Sequence, residues 1–300
     1  MSAAMKLNTD VSYEKILAKV DELPTLPAIV SEVASIIADP MSSVKELENV
    51  ILKDQGITTK VLKLINSAYY AIQGGVKDLG RAIGYLGFDS VYQLVLSTSV
   101  INTLDTKETD AFNIIDFWQH SVGVAMTSET IARHFNVPKP YECFTAGLIH
   151  DIGKLALLKI EPSLILTVSE FAKSSGKSFN QVEIENNLPR HAVIGSLLAE
   201  KWKFPQNLTG AIKYHHTLEK DKRFNATSDV HLFIDIVGYS NFLIHSIKFG
   251  NSGHNIASPA DKELGTRIGV NGDNLKVLSV EIKKALKSAQ QFMEIIREQH

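Results

Sequence analysis

Residues 146–158 read AGLIHDIGKLALL, and three groups able to do chemistry, His150, Asp151 and Lys154, sit inside this apolar run. Burying an unpaired polar group costs about 2 kcal/mol or more, and an unpaired charge costs far more. These side chains must either neutralise one another in the core or serve something bound there. Adjacent residues on a helix diverge by about 100°, so His150 and Asp151 do not grip one ion from the same side. They can reach different ions of a close pair, or one can ligate while the other bridges. Lys154 follows His150 by four positions, which returns to nearly the same helical face. There it either steadies a substrate phosphate as a point charge or runs its stem along the core and keeps its ammonium in water.

Other histidines extend the pattern. His215 and His216 repeat the adjacency at a helix C-terminus, where diverging directions again suit two metals, and His191 opens a helix just after Pro189. His120 shares a helical face with Phe117, Val124 and Ile131, which points its ring toward the core. Taken singly, such a histidine is ordinarily a neutral core residue, and the whole set could form a buried hydrogen-bonded network. Taken together, imidazole nitrogen with carboxylate oxygen and no thiolate suits iron, manganese or zinc better than calcium. Two ions about 3.5–4 Å apart are the usual clamp for phosphoester hydrolysis.

The elements that must position these residues read as helices, and the fold class is all-α. Ser43 and Glu46 have capping-box spacing, Val44, Leu47 and Ile51 mark an apolar stripe, and Gly56 is the expected stop. The β-branched stretch Val91–Ile101 has no partner strand of period two nearby and reads as a buried helix. After the polar segment 102–110 a second helical series begins, with Pro138, Pro140, Pro162, Pro189 and Pro205 between its helices. Segment 216–229 reads as a polar loop, 249–263 as an exposed excursion, and 274–298 as one closing amphipathic helix. The expected organisation is an N-terminal helical lobe (1–110), a metal-site lobe (111–245), and an exposed loop with a C-terminal helix (246–300). Tyr69 and Tyr70 belong either to the core or to a partner-facing surface.

The bulk numbers exclude several classes. The chain has 300 residues, 44% hydrophobic and 21% charged, with a net charge of −2. That balance gives no electrostatic footprint for nucleic acid or an anionic membrane. No apolar run approaches the roughly 20 residues that cross a bilayer, and the N-terminus lacks a secretory core. The single cysteine, Cys143, cannot form an intramolecular disulfide, which fits a reducing compartment; the cytoplasm is expected.

The segments WQHS, AGLIHDIGKL, RHAVIG and AIKYHH, in that order, resemble the HD superfamily of metal-dependent phosphohydrolases. Their arrangement is closest to the HD-GYP branch, whose members cleave cyclic di-GMP. The segments LPTLPAIVSEVASIIADP, ILKDQGITTKVLKLINSAYY, AIGYLGFDSVYQLVL and VEIENNLPRHAVIGSLLAEKWKFP are similar to the HDOD domain, the HD-related output domain of bacterial signalling proteins. The likeness runs from about Val20 to about Leu243. It implies His120, His150, Asp151, His191, His215 and His216 as ligands of one or two divalent ions, iron or manganese favoured and zinc possible, with Asp151 and Lys154 as catalytic groups if the site is active. Two departures stand out. The GYP triplet is absent, and the late helix that normally ends the ligand set with a carboxylate matches VGYSNFL, which puts Asn241 there; Asp235 is the alternative match. HDOD proteins are regarded as regulatory. The resemblance therefore implies a signalling module with weak or no turnover, acting on a signalling protein in trans because no receiver, kinase or cyclase segment is recognisable. The alternative is a phosphohydrolase acting on a nucleotide or cyclic dinucleotide.

Overall fold

The computed structural model describes residues 12–70, 72–104, 106, 112–258 and 261–297. Among these it holds seventeen α-helices and no strand. The first six are α1 (Tyr13–Val20), α2 (Ala28–Ala38), α3 (Val44–Ile51), α4 (Gln55–Ile65), α5 (Leu79–Leu86) and α6 (Phe88–Leu104). The histidine-bearing series comprises α7 (Ile114–His134), α8 (Pro140–Ile149), α9 (Ile152–Ile160), α10 (Pro162–Ser175), α11 (Phe179–Glu185), α12 (His191–Lys201), α13 (Gln206–Tyr214) and α14 (Ser228–Ser246). Three more close the described chain: α15 (Lys262–Arg267), α16 (Gly272–Leu286) and α17 (Ala289–Arg297).

Local signals set the early helices. The Ser43 hydroxyl accepts the Glu46 N–H at 3.2 Å and the Glu46 carboxylate accepts the Ser43 N–H at 2.7 Å, a complete capping box that starts α3. Gly56 does not stop this helix. It lies in the first turn of α4, because the Asp54 carboxylate accepts the Ile57 N–H at 2.9 Å and caps a new helix first. The Val91–Ile101 stretch is helical within α6 and largely buried. Tyr69 and Tyr70 are half-buried against the core, and the Tyr69 hydroxyl donates to Glu129, so this pair faces inward.

One apolar cluster runs from Ile16 to Ile296. The 21-residue α7 lies at its centre, buried along most of its length, with α8, α14, α16 and α17 packed around it. Three expectations need correction. The run containing His150 and Asp151 is two helices, since α8 ends at Ile149 and α9 starts at Ile152. The closing amphipathic segment likewise breaks at Lys287 and Ser288. The segment after α14 is not an exposed excursion, because Ser252 and His254 are buried. The interval 107–111, where the two lobes were expected to meet, lies outside the described residues. Segment 216–227 is irregular apart from a turn at Lys220–Lys222. It is fastened by Arg223, which donates to the Thr217 carbonyl at 2.8 Å and to Asp235 at 2.6 Å.

Candidate metal centre

The break between α8 and α9 is what makes a centre of the His150–Asp151 pair. His150 caps α8 and Asp151 precedes α9, so the 100° divergence of a continuous helix no longer governs them. Beyond the break, α9 crosses α12 with Gly153 against His191. A Cβ on Gly153 would fall 1.8 Å from the His191 carbonyl oxygen, so only glycine lets the backbones approach this closely. That approach lays His191 beside Asp151. His215 follows the last residue of α13 as its cap, and its carbonyl meets α14 at Gly238.

Two groups of donor atoms result, each with all its atoms within 4.8 Å of one another: Asp151, His191, His215 and His216, and His120, His150 and Asp151. Asp151 belongs to both. His215 and His216 fall in one group rather than serving two ions, with ring centroids 4.0 Å apart, because the chain leaves the helix between them. His216 is half-buried and the others are buried.

The hydrogen bonds fix which nitrogen of each ring is free. A carbonyl or carboxylate oxygen only accepts, so a ring nitrogen bonded to it carries the proton. His150 Nδ1 donates to the Gly147 carbonyl at 2.7 Å, His215 Nδ1 to the Ile212 carbonyl at 2.8 Å, and His191 Nδ1 to Glu183 at 2.7 Å. In the neutral rings Nε2 is then a lone pair, and all three face Asp151. His150 Nε2 lies 3.4 Å from Oδ2, while His191 and His215 Nε2 lie 3.1 and 3.5 Å from Oδ1. His216 Nε2 lies 3.1 Å from His191 Nε2. No hydrogen bond of sound geometry reaches Asp151 Oδ1, His150 Nε2 or His215 Nε2. Lone pairs aimed at a carboxylate repel one another unless a cation lies between them. A divalent ion bound at about 2.1 Å leaves neighbouring donors about 3 Å apart, so this donor set fits one.

Titration behaviour agrees. Burial pushes the His120 and His216 rings well below the usual imidazole range, with neighbouring histidines adding to the effect, and pushes His215 down to about 4. These rings stay neutral and able to ligate. Burial is the strongest influence on His191 and lowers it, but the Glu183 and Asp151 carboxylates together more than offset this and raise that ring. Burial works against ionised Asp151 as well. The Lys154 ammonium, followed by His150 and His191, more than offsets this and holds the carboxyl well below its usual range.

Lys154 does not snorkel. It is buried, its Nζ donating to Asp151 Oδ2 at 2.7 Å and to the Ser252 hydroxyl at 3.1 Å, above the Phe179 ring at 5.0 Å. It belongs to α9 and reaches Asp151 rather than sharing a face with His150. Asp235 is engaged elsewhere, paired with Arg223 at 2.6 Å and 3.6 Å from Arg267. Asn241 is buried with Oδ1 free of any hydrogen bond. Sequence reasoning missed Glu183, eight residues before His191, whose second oxygen also accepts the His191 N–H at 2.8 Å. It missed Ser252, His245 and His254 too.

An all-α frame that gathers imidazoles from four helices and their ends around one aspartate defines a protein of the HD type. The HDOD domain model matches residues 23–218, and the chain belongs to that family. Among solved structures it resembles an HDOD domain protein of unknown function from Geobacter sulfurreducens, with 23% identity, TM-score 0.74, and coverage of 92% of this chain and 96% of that one. It also resembles a candidate phosphohydrolase from Shewanella amazonensis, with 24% identity, TM-score 0.69 and coverage of 94% and 97%. A candidate signal transduction protein from Marinobacter aquaeolei gives 18% identity and TM-score 0.73 over 95% of this chain and 65% of that one. An uncharacterised protein of Treponema pallidum is 22% identical over 76% of this chain, which spans 43% of that protein's length. Among the described residues, no helix is long and apolar enough to cross a membrane.

Proposed function

We propose that the chain is a cytoplasmic regulatory module of a bacterial signalling system. It holds one or two divalent ions in the residue 111–245 lobe, acts through a protein partner in trans, and turns over substrate weakly or not at all. His120, His150, Asp151, His191, His215, His216 and Asn241 would hold the ions, iron or manganese before zinc. The observation that carries this reading is the state of Lys154. This buried cation beside the donor set is already taken by Asp151 and by Ser252, and a catalytic ion needs an open coordination position facing a cleft. A neutral amide at Asn241 also compensates two dications less than a carboxylate would. The ion would then tie α7, α8, α12 and α13 together, and a partner or a nucleotide would read that arrangement.

A second reading, a metal-dependent phosphohydrolase acting on a nucleotide or cyclic dinucleotide, is favoured by His216. It is the one residue of the two donor groups that is not fully buried, so the centre comes nearest to solvent there, where a bound ion would supply an activated water to a phosphoester. Purified protein loaded with manganese or ferrous iron and assayed against cyclic dinucleotides and generic phosphodiesters separates the two. We expect no turnover above that of a His150→Ala, Asp151→Ala double variant, together with stoichiometric metal that the double variant loses. Metal-dependent turnover that the double variant abolishes would transfer the conclusion to the hydrolase.

A further inference from the structure

Two histidines outside both donor groups stand beside the group that contains His120. His245, near the end of α14, packs its ring against His120 with centroids 4.4 Å apart at 34°. His254, from the segment after α14, stacks on His245 at 4.2 Å and 25°. All three rings are buried. Neither nitrogen of His120 nor of His245 has a hydrogen-bond partner, and one helical turn before His245 the Asn241 Oδ1 has none either.

This differs from the way the other ligand rings are held. His150, His191 and His215 each have Nδ1 fixed by an oxygen acceptor, the usual device that orients a metal-binding imidazole. No hydrogen bond sets the rotation of His120 or His245, so either ring can turn about χ2 and present a nitrogen to a shared ion without breaking one. His254 is not equivalent. Its Nδ1 accepts the Ile256 N–H at 3.1 Å, so in the neutral ring Nε2 carries the proton and no lone pair is left to offer. It is a wall behind His245 rather than a donor.

We propose that His245 is the further donor of the His120–His150–Asp151 group, completing with Asn241 the coordination of a second ion, and that this nitrogen-rich site, unlike the Asp151–His191–His215–His216 group to which the manganese preference above then applies, takes zinc or ferrous iron in preference to manganese. Imidazole donors suit zinc and iron, whereas manganese is better served by carboxylates and water. Among the described residues one carboxylate, Asp151, reaches this group, and it is shared. The inference rests on the metal centre proposed above.

The test uses the full chain stripped with chelator and dialysed against zinc chloride or manganese chloride alone, with bound metal counted by elemental analysis. The wild-type chain is expected to take up two zinc ions and to hold its second manganese at least tenfold more weakly than its second zinc. His245→Phe, which keeps a ring in the stack but offers no nitrogen, should hold one zinc, and His254→Phe should keep both. Zinc content and affinity unchanged in His245→Phe, or a second manganese held as tightly as zinc, overturns the proposal. A wild-type chain that binds no more metal than Asp151→Asn would instead remove the centre itself. Should His245→Phe fail to fold, the visible absorption of cobalt-loaded wild type is compared with that of His245→Asn: loss of the second cobalt's bands supports the assignment, and identical spectra end it.

Discussion

The helices from α1 to α6 and those from α7 to α14 solve the burial problem differently. All ten histidines lie beyond residue 119. The earlier helices close mainly on hydrocarbon, although α6 also buries Gln93, Ser97, Thr98 and Ser99: Leu47, Ile51, Val61, Leu64 and Ile65 are shut off from solvent, and helices begin on side-chain caps at Ser43, Asp54 and Asp78. The later helices surround an aspartate, a lysine and several imidazoles, of which Asp151 Oδ1, His150 Nε2, His215 Nε2 and both His120 nitrogens find no hydrogen-bond partner. The first region needs nothing beyond its own side chains to bury its apolar face. The second carries donors that a cation would complete, and if one binds, its stability should depend on solution conditions that leave the first untouched.

The largest expected effect tests that dependence directly. An ion held at a thousandfold above its dissociation constant stabilises by about 4 kcal/mol, and each kcal/mol moves the midpoint of a chain this size by roughly 2–4 °C. Calorimetry with and without chelator should therefore show a midpoint lower by about 10 °C in chelator. A thermogram indifferent to chelator erases the contrast between the regions. Next in size, Leu47→Ala should cost about 3 kcal/mol through lost transfer and cavity terms, by the same amount in either buffer. A loss that appears only with metal present would mean the two regions are not energetically separate.

Glu183→Gln sharpens the contrast from the other side. Outer-shell partners of metal-bound histidines are worth about 10- to 100-fold in affinity, so competition titration with a coloured zinc chelator should show a loss in that range. Unaltered affinity would reduce Glu183 to a packing role. Smallest of all, Ser43→Ala removes the capping hydroxyl of α3 and should cost about 1 kcal/mol, read as a midpoint shift that chelator does not change.

The legibility of the chain follows the same division. The Ser43–Glu46 box and the helix over Val91–Ile101 were readable because their causes are local. So were the residues of the donor set, since their types and order survive in sequence. The break at His150–Asp151 was not, because apolar periodicity runs straight across it and the tight crossing of Gly153 on His191 comes from a helix some forty residues away. Composition misjudged the segment after α14 for a related reason. Rich in Gly, Asn and Ser, it looks solvated, yet Ser252 reaches Lys154, which precedes it by 98 residues. Glu183 carried no signal beyond its place in an amphipathic helix.

Gly250 holds that segment in place. With φ at +70°, it presses so closely on α7 that a Cβ would fall 2.2 Å from the backbone nitrogen of His120, while the next residue's N–H donates to the Asp116 carbonyl at 2.9 Å. During synthesis this clasp leaves the ribosome after the donors at 120, 150, 191 and 215. An ion bound at these donors would be traded only as often as the clasp lifts, so its residence time would report the opening of this segment rather than the strength of the donors alone.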